Sequence, residues 1–270
     1  MKREFLSSKS LLLLLVLGLS VSACQKDDAA APVEDAAEDS YVPRTNVKYE
    51  YSVTEDGENI GTVTKWIDGS RDSSGIKLYN VHSNLVFSGG AVGLNNKMYV
   101  ANGRTYTELD MPEAWKLVVE EMKKNPDIIL EEAKYTGFPA YMVMENAMRE
   151  GSKLTWEIPA TMGQYFRYRN KDSQSTQIEM TQTIVQHPGA VEEIETITVP
   201  AGTFSCSKFV YEISQEQVAK INGDVFMTAS GTETITLWMA HGIGVVKEEN
   251  ITLFNGNTNN TVTVLNKIKT

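Results

Sequence analysis

The sequence is poor in cysteine, in histidine and in basic residues, and each shortage argues against a class of protein. Two cysteines in 270 residues cannot form the dense disulfide framework of a small secreted domain. The chain carries 25 Lys and Arg against 35 Asp and Glu, a net charge of −10, whereas nucleic-acid binding needs a basic excess. The three histidines, His82, His187 and His241, lack the spacing of a zinc or iron site. We therefore expect no nucleic-acid partner, no metal and no cofactor.

Motifs of catalysis are missing as well. No G-x-S-x-G nucleophile elbow occurs, and the glycine-rich run 88–93 lacks the Gly-Lys-Ser/Thr that completes a phosphate loop, so it predicts a turn or a bulge. The pairs Glu120-Glu121 and Glu131-Glu132 are predicted to lie on helix surfaces, where solvent covers most carboxylates. We expect a protein that is not an enzyme. A hydrolase site assembled from carboxylates far apart in sequence stays open as an alternative.

The N-terminus has the three parts of a secretory signal peptide. Lys2 and Arg3 precede an apolar run, 11–19, and small residues follow it. The run is too short to cross a hydrocarbon core, which needs about 20 residues. Residues 21–24, Val-Ser-Ala-Cys, resemble the lipobox of bacterial lipoproteins. This resemblance implies cleavage after residue 23, a diacylglyceryl group on the Cys24 thiol and an acyl chain such as palmitate on the new amine.

The residues after Cys24 predict a tether and a location. Gln25, Lys26, Asp27 and Asp28 are similar to a short tag that sends some lipoproteins of the phylum Bacteroidota to the cell surface. The alternative is that a soluble tether is simply acidic. Residues 24–43 show no apolar periodicity, which predicts a disordered acidic tether. We expect the protein to be anchored by lipid in the outer membrane, at the cell surface rather than on the periplasmic face.

Residues 44–270 are predicted to form one all-β domain. Apolar and polar residues alternate at its start, which is the period of a strand with one solvent-exposed face; the apolar positions are Val47, Tyr49, Tyr51 and Val53. Long antiparallel strands must close to protect their edges, which predicts an open or closed antiparallel β-barrel. Turn signals such as Asp56-Gly57, Asp68-Gly69, Asn102-Gly103, Asn222-Gly223 and Asn255-Gly256 separate the predicted strands, which are 60–67, 76–87, 97–101, 104–109, 140–144, 153–157, 164–169, 176–186, 191–199, 203–213, 225–230, 232–240, 244–254 and 260–268.

A helical insertion over about residues 111–134 interrupts the strands. Asp110 and Glu113 have capping-box spacing. An apolar stripe at helical spacing follows, and after Asn125-Pro126 we predict a second, shorter helix to about residue 133. The insertion could be a lid over a ligand cavity or a helix that seals the core, and the sequence favours the second. The stripe consists of Trp115, Val118, Val119 and Met122.

Several other side chains have a functional and a structural interpretation. The methionines at 142, 144 and 148 could line an adaptable pocket, but a core role is more common. Trp66, Trp156 and Trp238 could be platforms for sugars or lipids, yet each lies in a predicted strand, where aromatic residues are frequent. Cys206 is expected to be a small buried side chain rather than a reactive thiol.

Two stretches resemble a known group of exported proteins. They are 197–206, ITVPAGTFSC, and 237–248, LWMAHGIGVVKE. Both are similar to signatures of the TapB-like exported proteins of Bacteroidota, which are related to a domain family of unknown function, and Gly151-Ser152-Lys153-Leu154 matches in part. The resemblance implies an all-β protein of about this length and no reactive group. His241 stands where that family has proline.

Three functions are compatible with these features. The first is a non-catalytic barrel that binds an apolar or amphiphilic ligand. The second is a surface-exposed interaction module or accessory subunit of an outer-membrane assembly, and the third is a hydrolase. The expected partners are the membrane, through the lipid anchor, and an unidentified protein or small apolar ligand.

Overall fold

The structure is a computed structural model that describes residues 39–73, 76–111, 113–157 and 161–270. Within these residues one helix and fifteen strands follow one another in the order β1 Lys48–Glu55, β2 Glu58–Ser73, β3 Ile76–Phe87, β4 Gly90–Ala101, β5 Arg104–Leu109, α1 Glu113–Lys124, β6 Ile128–Thr136, β7 Ala140–Glu145, β8 Lys153–Glu157, β9 Met162–Asn170, β10 Ser173–Gln186, β11 Gly189–Val199, β12 Gly202–Ile221, β13 Asp224–Ala240, β14 Gly244–Phe254 and β15 Asn257–Lys269.

The strands of the described ranges close into a twelve-stranded antiparallel barrel. The order around the ring is β11-β8-β7-β5-β4-β3-β2-β1-β15-β14-β13-β12, and pairing of β12 with β11 completes it. The predicted all-β antiparallel barrel is therefore confirmed. Asparagine or aspartate followed by glycine turns the chain at 56–57, 102–103, 222–223 and 255–256, where both residues have positive φ, as two-residue hairpins require.

A side sheet branches from the barrel at β12. One edge of β12 pairs with β13 over 207–221, while the other pairs with β11 over 202–210 and with β10 over 213–221. The strands β10, β9 and β6 continue the sheet beyond this fork. We use the term wing for β6, β9 and β10 together with residues 213–221 of β12 and 224–230 of β13. The helix α1 lies against the wing.

The chain entering β1 fills part of the barrel core. Tyr41 is completely buried, donates its hydroxyl hydrogen to Ser207 Oγ at 2.8 Å and packs edge-on against Phe209. Ser40 and Val42 are completely buried too. These residues were predicted to belong to the disordered tether, so the tether boundary at residue 43 was wrong. The apolar Tyr41 and Val42 are transferred from water to the core, which outweighs the cost of ordering them.

Two local predictions were also wrong. The predicted second helix after Pro126 is strand β6, which pairs with β9 from Ile128 to Thr136. The predicted turn at Asp68-Gly69 is a bulge inside β2, where the register with β3 shifts between Ile67 and Ser70. In both places pairing with a neighbouring strand overrides a local signal, because backbone groups in a sheet need partners.

The predicted strands 225–230 and 232–240 are one continuous strand, β13. No helix within the described ranges is long and apolar enough to cross a membrane.

Candidate functional site

The predicted lipid-attachment and export residues lie outside the described part of the chain. Cys24 and the tag-like Gln25, Lys26, Asp27 and Asp28 all precede residue 39, as does the signal peptide 1–23. Their roles stay predictions. The site that the structure itself offers is inside the domain.

The predicted apolar stripe of α1 covers a cavity in the wing. Trp115 and Val119 are buried, and Trp115 belongs to the same hydrophobic cluster as the barrel residues Tyr41 and Phe209. Trp115, Val118 and Met122 line a cavity of about 190 Å³ between α1 and the wing. The helix therefore seals the core with one part of its stripe and roofs a cavity with the rest. The cavity floor consists of Ile128, Gln164, Phe166, Tyr168, Met180, Thr181, Gln182, Gln217, Val218 and Met227.

Three polar atoms in this apolar cavity have no hydrogen-bond partner among the described residues. They are Trp115 Nε1, Gln164 Oε1 and Gln182 Nε2. The two glutamines bond to each other once, from Gln164 Nε2 to Gln182 Oε1 at 2.5 Å, which leaves one amide atom of each unused. Buried polar atoms are nearly always satisfied by protein, water or ligand. The residues that line the cavity thus carry two donors and one acceptor that lack a partner among the described residues.

A second, smaller cavity of about 100 Å³ lies in the barrel. Met142 and Met144, two of the three candidate methionines, line it together with Met98 and Met239. Met148 is not among its lining residues. Methionine side chains are flexible and polarisable, so they fill irregular space well. Met144 is also fully buried, so this methionine both lines the cavity and packs in the core.

Charged side chains enter the barrel as well. Lys65 and Glu248 line the smaller cavity, and the Lys65 ammonium lies 5.3 Å from the ring centre of Tyr51. Burial lowers the pKa of Lys65, and the negative Glu248 partly opposes that shift. Glu233, on the inner face of β13, is only 6% exposed. Its burial, with a further contribution from Glu248, raises the pKa of the Glu233 carboxyl to about 7.

The histidines do not assemble a metal site. The ring nitrogens of His82 contact Asn95 and Asp68. A ring nitrogen of His187 contacts Ser214, and one of His241 contacts the Asn146 carbonyl. Within the described ranges no group of three or more His, Cys, Asp or Glu is placed to hold a metal ion.

One histidine does contact a potential nucleophile. His187 Nε2 lies 2.8 Å from Ser214 Oγ. In the described part of the chain no carboxylate bonds to the other ring nitrogen, the group that orients the base in a serine hydrolase. Ser214 lies in the middle of the regular strand β12 rather than on a strained turn. The pair therefore lacks two parts of such a site.

The predicted tryptophan platforms have structural partners. Trp238 donates to Glu195 Oε1 at 2.6 Å and has the Lys247 ammonium 4.2 Å from its ring centre. Trp156 donates to the His187 carbonyl at 3.1 Å, and Trp66 stacks on His82. Trp115 on the helix borders the cavity under α1.

The remaining candidates are structural too. Cys206 is fully buried, and burial raises the pKa of its thiol to about 12. Glu131 and Glu132, predicted on a helix, lie on β6 and form ion pairs with Arg169, Arg167 and Lys134. The Arg169 hydrogen bond lowers the pKa of Glu131, and the Lys134 hydrogen bond lowers that of Glu132. Glu120 and Glu121 pair with Lys123 and Lys124 on the helix surface.

Gln164 and Gln182 were missed in the sequence, although β10 contained a signal. Ile178, Met180 and Ile184 mark the inner face of this strand, and Gln182 occupies the same face in register. A glutamine in an otherwise apolar register indicates a buried amide that needs a partner. The sequence could not show that β9 and α1 would lie beside it.

Comparisons with known proteins identify a family but no activity. No curated protein matches the chain. One solved structure, named as a lipoprotein from Parabacteroides distasonis ATCC 8503, is 17% identical, with a TM-score of 0.46, and the match covers 85% of this chain and 98% of that one. A second, named as an exported protein with a YmcC-like fold from Bacteroides fragilis NCTC 9343, is 16% identical, with a TM-score of 0.44, covering 84% and 97%. The DUF3108-like profile matches residues 94–262, more than half of the chain. The chain therefore belongs to the DUF3108-like family.

Proposed function

We propose that this protein is a lipid-anchored lipoprotein of the cell envelope whose domain binds an amphiphilic ligand in the wing cavity, without catalysing a reaction. The observation that carries the proposal is the cavity of about 190 Å³ under α1, whose apolar wall contains three unpartnered polar atoms. An engineered apolar cavity of about 150 Å³ holds a benzene molecule, so this one has room for a short stretch of acyl chain or a ring.

The polar atoms indicate which part of the ligand enters. Trp115 Nε1 and Gln182 Nε2 are donors, so they fit the oxygens of an ester or a carboxyl group. The hydrocarbon next to that polar group would contact Val118 and three flexible methionines that can adapt to its shape, Met122, Met180 and Met227. We therefore expect a molecule with an acyl chain and an oxygen acceptor close to it.

The ligand can be tested with a matched pair of helix variants. Val118→Trp would fill the cavity, whereas Leu117→Trp would place the same side chain on the exposed face of α1. Protein extracted from its own membrane in mild detergent is denatured, and the released lipids are counted by mass spectrometry after subtraction of the covalent anchor. We expect Val118→Trp to lower the bound amphiphile at least tenfold and Leu117→Trp to leave it unchanged. Equal amounts in both variants, or none in the wild type, would refute the proposal.

The tag-like residues after Cys24 support a location at the cell surface. Gln25, Lys26, Asp27 and Asp28 would follow directly on the lipidated residue in the mature protein. Protease treatment of intact cells tests this location. Loss of the protein supports surface exposure, whereas survival until the outer membrane is permeabilised shows that it faces the periplasm.

A further inference from the structure

The hairpin between β12 and β13 extends beyond the barrel. Asn222 and Gly223, with φ of 51° and 91°, form its turn. Pairing of β13 with β14 begins only at Gly231, preceded by one hydrogen bond from Asn255 N–H to the Ser230 carbonyl, so residues 224–229 have β12 as their only paired strand among the described residues. The tip is therefore a free end of the wing.

This tip exposes apolar side chains where a soluble hairpin normally has polar ones. Val225 is 58% exposed, Phe226 55%, Met227 39% and Ile221 37%. Single exposed apolar residues are ordinary on protein surfaces, but four within seven residues form a patch that indicates an interaction site. Val225 and Phe226 are adjacent in sequence, so the patch is not one face of a regular alternating strand.

The tip is better suited to lipid than to pairing with another strand. A bulge places Met227 opposite Ala219 and Val225 opposite Lys220, with Phe226 as the extra residue. Bulges disrupt the edge that an added strand would need. The turn is bonded to the neighbouring strand β10, because Asn222 N–H donates to the Gln177 carbonyl at 2.9 Å and Gln177 N–H donates to Asn222 Oδ1 at 2.8 Å. A turn held in this way keeps its shape at the interfacial layer of a bilayer, where water can still bond to the free backbone groups along the outer edge of β13.

The tip is continuous with the cavity. Met227 lines the cavity beneath α1 and is also part of the exposed patch. An amphiphile that leaves a bilayer at the tip would therefore meet the cavity wall directly.

The tether attaches at the other end of β13. The Gly242 N–H, in the turn after β13, donates to the Ser40 carbonyl. Strand β13 runs from the tip to that turn, about 50 Å at the usual rise of a strand. The predicted tether from Cys24 to residue 39 spans at most roughly 50 Å when fully extended. The tip thus lies at the opposite end of β13 from the attachment point, and a tether of this length leaves it able to reach a bilayer surface.

We propose that the hairpin tip, residues 221–227, docks on a bilayer surface and admits the amphiphile to the wing cavity. The inference rests on the proposed function, because docking supplies the ligand that the cavity holds. The long stem of Lys220, opposite Val225, can lie along the apolar layer while its ammonium stays among the headgroups.

Vesicle binding tests the docking separately from ligand binding. The full mature chain with Cys24→Ser carries no lipid, so any binding comes from the domain. It is sedimented with vesicles of phosphatidylethanolamine and phosphatidylglycerol, alone and with Val225→Ser plus Phe226→Ser. The control is Ile251→Ser plus Leu253→Ser, two similarly exposed apolar residues on β14. We expect the tip variant to lower vesicle partitioning at least tenfold and the control to change it less than twofold.

Three outcomes overturn the docking. Wild-type binding that the tip variant retains, or no binding at all, excludes the tip as the lipid contact. Wild-type dimers in size-exclusion chromatography with light scattering that the tip variant dissolves would show that a second copy covers the patch. If vesicle binding follows the prediction but Val118→Trp leaves the co-purifying lipid unchanged, the proposed cavity function fails while the docking stands.

Discussion

Replacing Glu233 with glutamine should make the stability of the domain less dependent on pH. Glu233 lies on the inner face of β13 with its side chain almost fully buried. Burial, together with the charge of Glu248, raises the pKa of its carboxyl from the ordinary 4.5 to about 7. The folded protein therefore holds this proton more tightly than the unfolded chain does.

The sign and size of the effect follow from the two pKa values. Because the folded pKa is the higher one, the group's contribution is fully favourable below pH 4.5 and is lost as the pH rises towards 7. A difference of about 2.5 pKa units corresponds to roughly 3 kcal/mol of destabilisation above pH 7. Glutamine has nearly the same shape and cannot ionise, so Glu233→Gln removes this penalty.

Urea unfolding of the unlipidated chain at pH 4.5 and pH 8 measures the effect. Relative to the wild type, Glu233→Gln should be about 3 kcal/mol more stable at pH 8 than at pH 4.5. Glu212→Gln, on the exposed face of the neighbouring strand, should show the same stability difference at both pH values. A Glu233→Gln variant without a pH-dependent gain would contradict this prediction and show that Glu233 is not charged in a buried site at pH 8.

Three further predictions concern the core. Tyr41→Ala should lower the free energy of unfolding by about 3–5 kcal/mol in urea titrations, because it leaves a large cavity in the barrel, while the half-exposed Val86→Ala should change it by less than about 0.5 kcal/mol. Since burial raises the pKa of the Cys206 thiol to about 12, Ellman's reagent at pH 8 should leave it unmodified in the folded protein and label it in urea; labelling of the folded protein would contradict its burial. Gly189→Ala should destabilise by about 2–3 kcal/mol, because the new Cβ would lie 2.2 Å from the Val210 carbonyl oxygen; an unchanged melting temperature would show that the strands part easily there.

The sequence predicted those elements whose signals are local. The alternation around Tyr49 and Tyr51 marks β1, and the Asn-Gly pairs mark hairpin turns because these residues tolerate positive φ. The stripe from Trp115 to Met122 marks the buried face of α1. In each case the physical cause lies within a few residues of the chain.

The local signals failed where a distant strand competes for the backbone. The segment Ile128–Thr136 has helix-compatible residues after a proline, but its N–H and C=O groups bond to β9. The Asp68-Gly69 pair resembles a turn, but β2 continues through it as a bulge because β3 pairs on both sides. Such outcomes depend on which strand lies next, and a single strand's pattern carries no information about its neighbour.

The sequence by itself determined that most of residues 44–270 form strands with one solvent-exposed face, because a period of two assigns each side chain to one side of a strand. Only the tertiary structure decided that the sheet closes and then forks at β12, since closure is a property of all the pairings together. The fork places Gln164, Gln182 and Met227 beneath Trp115 and creates the cavity. Burial, which raises the pKa of Glu233, likewise comes from the neighbouring strands rather than from its own.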